Sequence, residues 1–122
     1  MKVGAAQIDI TPGEGAELSG FAVRIQPAVG CLDRLYARAL WVETAEARLL
    51  WIHCDLIGLT AGFVAAFREW AARELLLTTP EVMVSARHTH SGPCTIRLEG
   101  CGDRDEAYTA WLATRLQQVA AT

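Results

Sequence analysis

Val82-Met83-Val84-Ser85-Ala86-Arg87-His88-Thr89-His90-Ser91-Gly92-Pro93 is the stretch whose reading decides the fold. Val82 to Val84 is an apolar run that predicts a strand over 81–86, and Ser91-Gly92-Pro93 stops it and turns the chain away. The segment holds two of only three histidines. In an extended strand, residues two apart project from one face, so His88 and His90 are expected to point into one site. A strand end followed by a turn is a common place for an α/β protein to do chemistry. Imidazole ligates zinc and serves as acid or base in catalysis.

Working outward, the residues before this strand predict a helix over 60–77. Phe63, Phe67 and Trp70 fall at i, i+4 and i+7, with Arg68, Glu69 and Arg73 off that stripe, the pattern of a core-facing helix. Two further apolar runs, 35–44 and 47–55, are joined by Thr44-Ala45-Glu46-Ala47. Their length and their aromatic and β-branched content predict strands, and the short join predicts an antiparallel hairpin. A strand, a helix and a strand in succession predict a parallel β-α-β crossover. On that basis His88 is expected at the carboxyl end of a central strand.

At the start, residues 2–9 read as a strand that Thr11-Pro12-Gly13-Glu14-Gly15 ends. Residues 12–33 carry four glycines and two prolines without a sustained period, which predicts a long loop. Loops of that length in compact domains are often functional. A last helix is expected over 104–120, with Asp103 and Glu106 at its start and Tyr108, Trp111, Leu112, Leu116 and Val119 as its buried stripe. The fold class is therefore α/β: a mixed β-sheet with flanking helices, in the order β-loop-β-β-α-β-loop-α, as one domain over 1–122.

Composition bounds the function. With 52% hydrophobic and 20% charged residues, the chain has the material for a core. A formal net charge of −3 leaves no basic footprint for nucleic acid. No apolar run has the length of a membrane span. No signal peptide opens the chain, so a cytoplasmic location is expected. Cys31, Cys54, Cys94 and Cys101 show no Cys-x-x-Cys spacing, so neither a redox pair nor a zinc ribbon is indicated. Cys54 reads as a small buried hydrophobe. Cys94 and Cys101 flank a polar loop and could pair only in an oxidising compartment, whereas the missing signal peptide argues for a reducing one.

His-x-His alone is a weak motif, since two such residues can simply cap a strand. Its surroundings give it weight. Thr89-His90-Ser91-Gly92-Pro93 occurs in order with Val3-Gly4-Ala5-Ala6-Gln7-Ile8-Asp9-Ile10-Thr11-Pro12, Leu18-Ser19-Gly20-Phe21-Ala22, Asp33-Arg34-Leu35-Tyr36-Ala37-Arg38-Ala39-Leu40 and Cys54-Asp55-Leu56-Ile57-Gly58-Leu59. Together these resemble the amino-terminal part of the catalytic domain of the neutral/alkaline (non-lysosomal) ceramidases, over about residues 1–95. The resemblance implies a zinc-dependent amidase acting on an N-acyl amide or lipid-like substrate.

Carried over residue by residue, the resemblance makes His88 a ligand of one zinc ion. It makes His90 a catalytic residue beside the metal, binding substrate or water. The family's remaining ligands, another histidine, a glutamate and a tyrosine, lie further downstream than residue 122, as does its catalytic serine. Residues 1–122 are therefore expected to be inactive alone and to self-associate through uncovered surface.

Asp55 is a candidate to hydrogen-bond a ligand histidine, as carboxylates behind metal sites do, or equally a turn cap. Gly20-Phe21 resembles a Gly-Tyr pair near the family's site. Phe21 is either part of an acyl pocket or a loop anchor. His53 shares a period-two face with Asp55 and reads as packed in the sheet. The chain departs from the family pattern at Arg87, usually small or threonine, at Cys94, usually glycine, and at Leu32-Asp33-Arg34, often His-Asp-Pro. Two other readings stand beside the amidase: a ceramidase-like domain without catalysis, and a small self-contained metal site of His88, His90, Cys94 and Cys101.

Overall fold

The computed structural model describes residues 1–122. Strand β1 spans Lys2–Asp9, β2 Tyr36–Glu43, β3 Arg48–Cys54 and β4 Val82–Ala86; helix α1 spans Ala61–Glu74 and α2 Glu106–Ala120. The element order is the one expected from sequence, with a single 3₁₀ turn, Thr79–Glu81, added before β4.

The sheet runs β1-β2-β3-β4. The first two pairings are antiparallel, and β3 pairs with β4 in parallel, from Leu50 opposite Val82 to Cys54 opposite Ala86. The β2–β3 turn closes because Thr44 N–H donates to the Ala47 carbonyl at 2.8 Å while the Thr44 hydroxyl accepts from Glu46 and Ala47 N–H. The crossover through α1 is present, and β4 stands last in the strand order formed by residues 1–122. Sequence order does not reveal this, because a βαβ unit is locally the same at an edge and in the middle.

Both helices pack on one face. Ala37, Ala39, Leu50, Ile52, Cys54 and Val82 point into a core shared with Phe67 and Ala71 of α1 and Tyr108, Leu112, Leu116 and Val119 of α2. Phe63 and Trp70 complete the α1 stripe at the margin. Thr60 caps α1 by accepting from Phe63 N–H at 3.2 Å. Asp105, not Asp103, caps α2, accepting from Tyr108 N–H at 2.8 Å. The Tyr108 hydroxyl then donates to the buried Ile10 carbonyl at 2.6 Å, and Arg115 donates to the Asp9 carbonyl, so α2 is tied to the end of β1.

The opposite face carries no helix. Alternation places Ala5, Leu40, Trp51 and Met83 there beside Gln7, Arg38, His53 and Ser85. A shallow apolar depression of about 520 Å³ lies between Ala5, Leu40 and Trp51. His53 belongs to this face. Its Nδ1 meets the Ser85 hydroxyl at 2.9 Å and its ring meets Trp51 edge-on at 6.0 Å.

Candidate functional site

The carboxyl ends of β3 and β4 lie side by side, and the chain leaving β4 is fastened to the chain leaving β3. Arg87 N–H donates to the Cys54 carbonyl at 3.1 Å, and His88 N–H to the Leu56 carbonyl at 2.9 Å. The strand itself has ended at Ala86, and His88 adopts φ +64, the left-handed region that a non-glycine residue rarely occupies. Strand alternation therefore does not place the two histidines. They meet nonetheless, their ring centroids 5.0 Å apart and inclined at 69°. Left-handed backbone held by surrounding bonds is a recurrent feature of functional sites.

The kink turns the His88 imidazole back onto the preceding loop. Its Nδ1 lies 2.9 Å from the Ile57 carbonyl oxygen. A carbonyl only accepts, so Nδ1 carries a proton, and in the neutral ring Nε2 is left with its lone pair. Asp55 does not fill this role. Its carboxylate, almost wholly buried, accepts from Tyr36 N–H at 3.0 Å, from Arg38 at 3.0 Å on each oxygen, and from Arg87 at 3.4 Å. Burial pushes the Asp55 carboxyl up, but the Tyr36 hydrogen bond and the two guanidiniums outweigh it and hold it below the usual carboxylate range. Asp55 organises the loop ends of β2 and β3 and the base of Arg87.

Residues 11–35 wrap over the histidines. Ser19 N–H donates to the Gly92 carbonyl at 3.0 Å, Cys94 N–H to the Glu17 carbonyl at 3.2 Å, and Leu18 bridges to Pro93. Gly20, at φ +104, lies against His90 so closely that a Cβ there would fall 2.5 Å from His90 Cγ. Phe21, half exposed, meets the His90 ring edge-on at 5.2 Å. Both loop candidates thus touch His90 directly. Arg24 was not anticipated. It donates to the His90 carbonyl at 2.9 Å and stacks over Phe21. Neither Arg24 nor the Ile57 carbonyl carries a sequence signal, since one is a lone loop arginine and the other a backbone atom.

A cleft of about 770 Å³ opens beside this arrangement, lined by His88, Arg87, Asp55, Thr89 and Ser91 from the strand ends and by the loop from Thr11 to Leu35. Next to two of the lining residues, Thr11 and Arg34, Asp9 accepts from Thr11 N–H and pairs with Arg34. The Thr11 bonds, side-chain then backbone, bring the Asp9 carboxyl down to about 2 despite its slight burial, with Arg34 adding to them.

No three histidine, cysteine, aspartate or glutamate side chains gather where they could hold a metal ion. This removes the geometric basis for a self-contained site of His88, His90, Cys94 and Cys101. Cys94 and Cys101 are free thiols, and Cys94 Sγ instead meets the Cys101 carbonyl at 3.4 Å.

The class is now defined: a mixed α/β sheet whose chemistry-bearing side chains gather at the carboxyl ends of two parallel strands, under a long loop. The chain belongs to the neutral/alkaline non-lysosomal ceramidase family, whose N-terminal model matches residues 1–99. Its fold is similar to neutral ceramidase from Pseudomonas aeruginosa, with a TM-score of 0.77, 25% identity, and coverage of 98% of this chain and 21% of that chain. It is also similar in fold to a ceramidase complexed with C2, with a TM-score of 0.78, 24% identity, and coverage of 98% and 20%. The chain thus spans about a fifth of the length of these structures. No curated protein matches it.

Proposed function

We propose that this chain is the segment of a zinc-dependent amide hydrolase that supplies His88 as one zinc ligand and His90 as the catalytic histidine beside it. The observation that carries this reading is the hydrogen bond from His88 Nδ1 to the Ile57 carbonyl. Ligating histidines typically donate their other ring N–H to a carbonyl or carboxylate, which fixes the tautomer and aims the remaining nitrogen. One such nitrogen fits a zinc ion but does not complete its coordination, so the other ligands come from outside residues 1–122. Zinc, when bound, lowers the pKa of a coordinated water toward ~7 and polarises the amide carbonyl.

This chain's own residues do the rest of what is assigned here. His88 presents Nε2. His90 stands beside it and binds substrate or water. Gly20 and Phe21 hold His90 from the loop side. Asp55 acts one step back, fixing Arg38 and Arg87. Membership in the ceramidase family supports an N-acyl lipid amide as the substrate class. Residues 1–122 alone are assigned weak zinc binding and no turnover. Self-association is assigned to the uncovered sheet face around Leu40, Trp51 and Met83.

The test is a chimera in which these residues replace the matching fifth of the Pseudomonas aeruginosa enzyme. It is assayed with a fluorogenic N-acyl amide and by metal analysis. His88→Ala should lose both zinc and turnover, and His90→Ala should lose turnover while keeping more zinc. A His88→Ala chimera with full zinc and full activity would remove His88 from the ligand set.

A further inference from the structure

His90 is held in place from a distant part of the chain. Arg24 stands 66 residues away in sequence, half-buried in the loop over the site. Its Nη1 donates to the His90 carbonyl at 2.9 Å and to the Ser19 carbonyl at 3.2 Å. The guanidinium carbon sits 4.9 Å from the Phe21 ring centroid. The Phe21 ring meets His90 edge-on at 5.2 Å, and the His90 ring meets His88 at 5.0 Å. These contacts form one continuous chain: Arg24, Phe21, His90, His88.

What sets this arginine apart is where its bonds go. It forms no salt bridge, so its guanidinium is committed to backbone carbonyls and an aromatic ring. Its bonds are charge-assisted bonds to two backbone carbonyls, stronger than neutral ones. The two carbonyls belong to Ser19, which precedes the glycine packed on His90, and to His90 itself. A planar cation over an aromatic face adds attraction that lysine's compact ammonium does not reproduce in that geometry. Phe21 is 49% exposed, so burial alone does not hold its ring. The arginine on one face and the imidazole against it do.

We propose that Arg24 is a positioning residue for the hydrolytic site. It locks the His90 backbone to the loop and clamps Phe21 against the imidazole, so that His90 keeps one orientation beside His88. The assignment of a catalytic consequence rests on the zinc amidase reading above; the clamp itself does not. Misplacement of a reacting group by about 1 Å costs on the order of 100-fold in rate. In the chimera, Arg24→Ala should therefore lower kcat about 10- to 100-fold with KM and zinc content little changed. Arg24→Lys, which keeps donors for the two carbonyls but not the flat stack, should recover part of that loss.

The direct test is imidazole and aromatic NMR on residues 1–122. In the unsubstituted chain the Phe21 and His90 rings should show mutual nuclear Overhauser contacts and ring-current shifts. In Arg24→Ala those contacts should vanish and the His90 ring signals should move to averaged positions. The His88 Nδ1 proton and the core signals of Leu112 and Leu116 should stay. Retained Phe21–His90 contacts in Arg24→Ala would overturn the proposal. If Arg24→Ala unfolds the chain, Arg24→Lys decides alone: a weakened contact supports the clamp, and an unchanged one overturns it. Zinc titration of the same samples keeps the two readings apart. A His88 ring silent toward zinc, together with selective loss of His90 order in Arg24→Ala, sinks the zinc reading and keeps the clamp. A zinc-responsive His88 with His90 unaffected by the substitution does the reverse.

Discussion

Gly20 leaves the space that His90 fills. A Cβ on Gly20 would lie 2.5 Å from Cγ and 2.7 Å from Cβ of His90, and Gly20 itself sits at φ +104. Gly20→Ala therefore meets both steric overlap and a backbone conformation that L residues avoid. The expected cost is about 1–3 kcal/mol, the range for strained backbone positions. Urea unfolding measures it. The His90 ring signals should shift in the variant while the His88–Ile57 hydrogen bond persists. A neutral substitution would mean the loop does not press on His90.

Asp55 links stability to pH. Its carboxyl titrates lower in the folded chain than in the unfolded one, because Tyr36 N–H, Arg38 and Arg87 outweigh its burial. The unfolded state then binds the extra proton in acid. The stabilisation is fully present above the usual carboxylate range of about 4 and is lost as pH falls below it. Asp9, held at about 2, adds a second contribution that fades from about 4 to about 2. Asp55→Asn should cost about 1–3 kcal/mol at neutral pH, the range for a buried hydrogen-bonding group losing its partners. It should also flatten the acid limb of unfolding free energy against pH. An unchanged acid limb would contradict the assignment.

The four cysteines should react in a set order. Cys31 is exposed and Cys101 half-buried, while Cys54 and Cys94 are buried. Burial first, then the neighbouring Asp55 charge, pushes the Cys54 thiol up to about 12, so it carries almost no thiolate at neutral pH. Alkylation followed by mass spectrometry should label Cys31 first and Cys101 next, with Cys54 and Cys94 labelled only on unfolding. Protection of Cys94 and Cys101 by added zinc would revive the four-residue His/Cys site.

The uncovered sheet face predicts association. Leu40, Trp51 and Met83 stand on the side without helices, and Met83 is 45% exposed on β4, last in the strand order of residues 1–122. Edge strands and apolar patches promote pairing between chains. Light scattering of residues 1–122 should show mass rising with concentration, and Met83→Glu should reduce that rise. A monodisperse monomer at high concentration counts against the assignment.

Much of this was legible in the residues, for identifiable reasons. The helix stripe of Phe63, Phe67 and Trp70 and the alternation through β2 and β3 are local patterns, and the elements followed them closely. Strand alternation also predicts that His88 and His90 meet, and they do, by a different geometry. A left-handed kink at His88 brings the rings together, and that kink depends on hydrogen bonds to residues 54–57 that no local pattern encodes. Likewise the choice of Ile57 as the partner of His88 Nδ1, with Asp55 committed to Tyr36, Arg38 and Arg87, is set by tertiary contacts. The place of β4 in the strand order and the Arg24 contact arise from tertiary pairing over long sequence separations. Asp105 displaced Asp103 as the helix cap by a two-residue shift, the ordinary uncertainty of a helix boundary.

In the proposed role, His88 presents Nε2 to a metal because the Ile57 carbonyl holds the Nδ1 proton. Long-range proton–nitrogen spectra of the imidazoles, recorded on residues 1–122 at mildly alkaline pH during a zinc titration, test it most directly. His88 should be protonated on Nδ1 before zinc is added. With zinc in large excess its Nε2 resonance should move, and His88→Ala should abolish the response. A His88 ring protonated on Nε2, or a zinc response carried wholly by other residues, would contradict it.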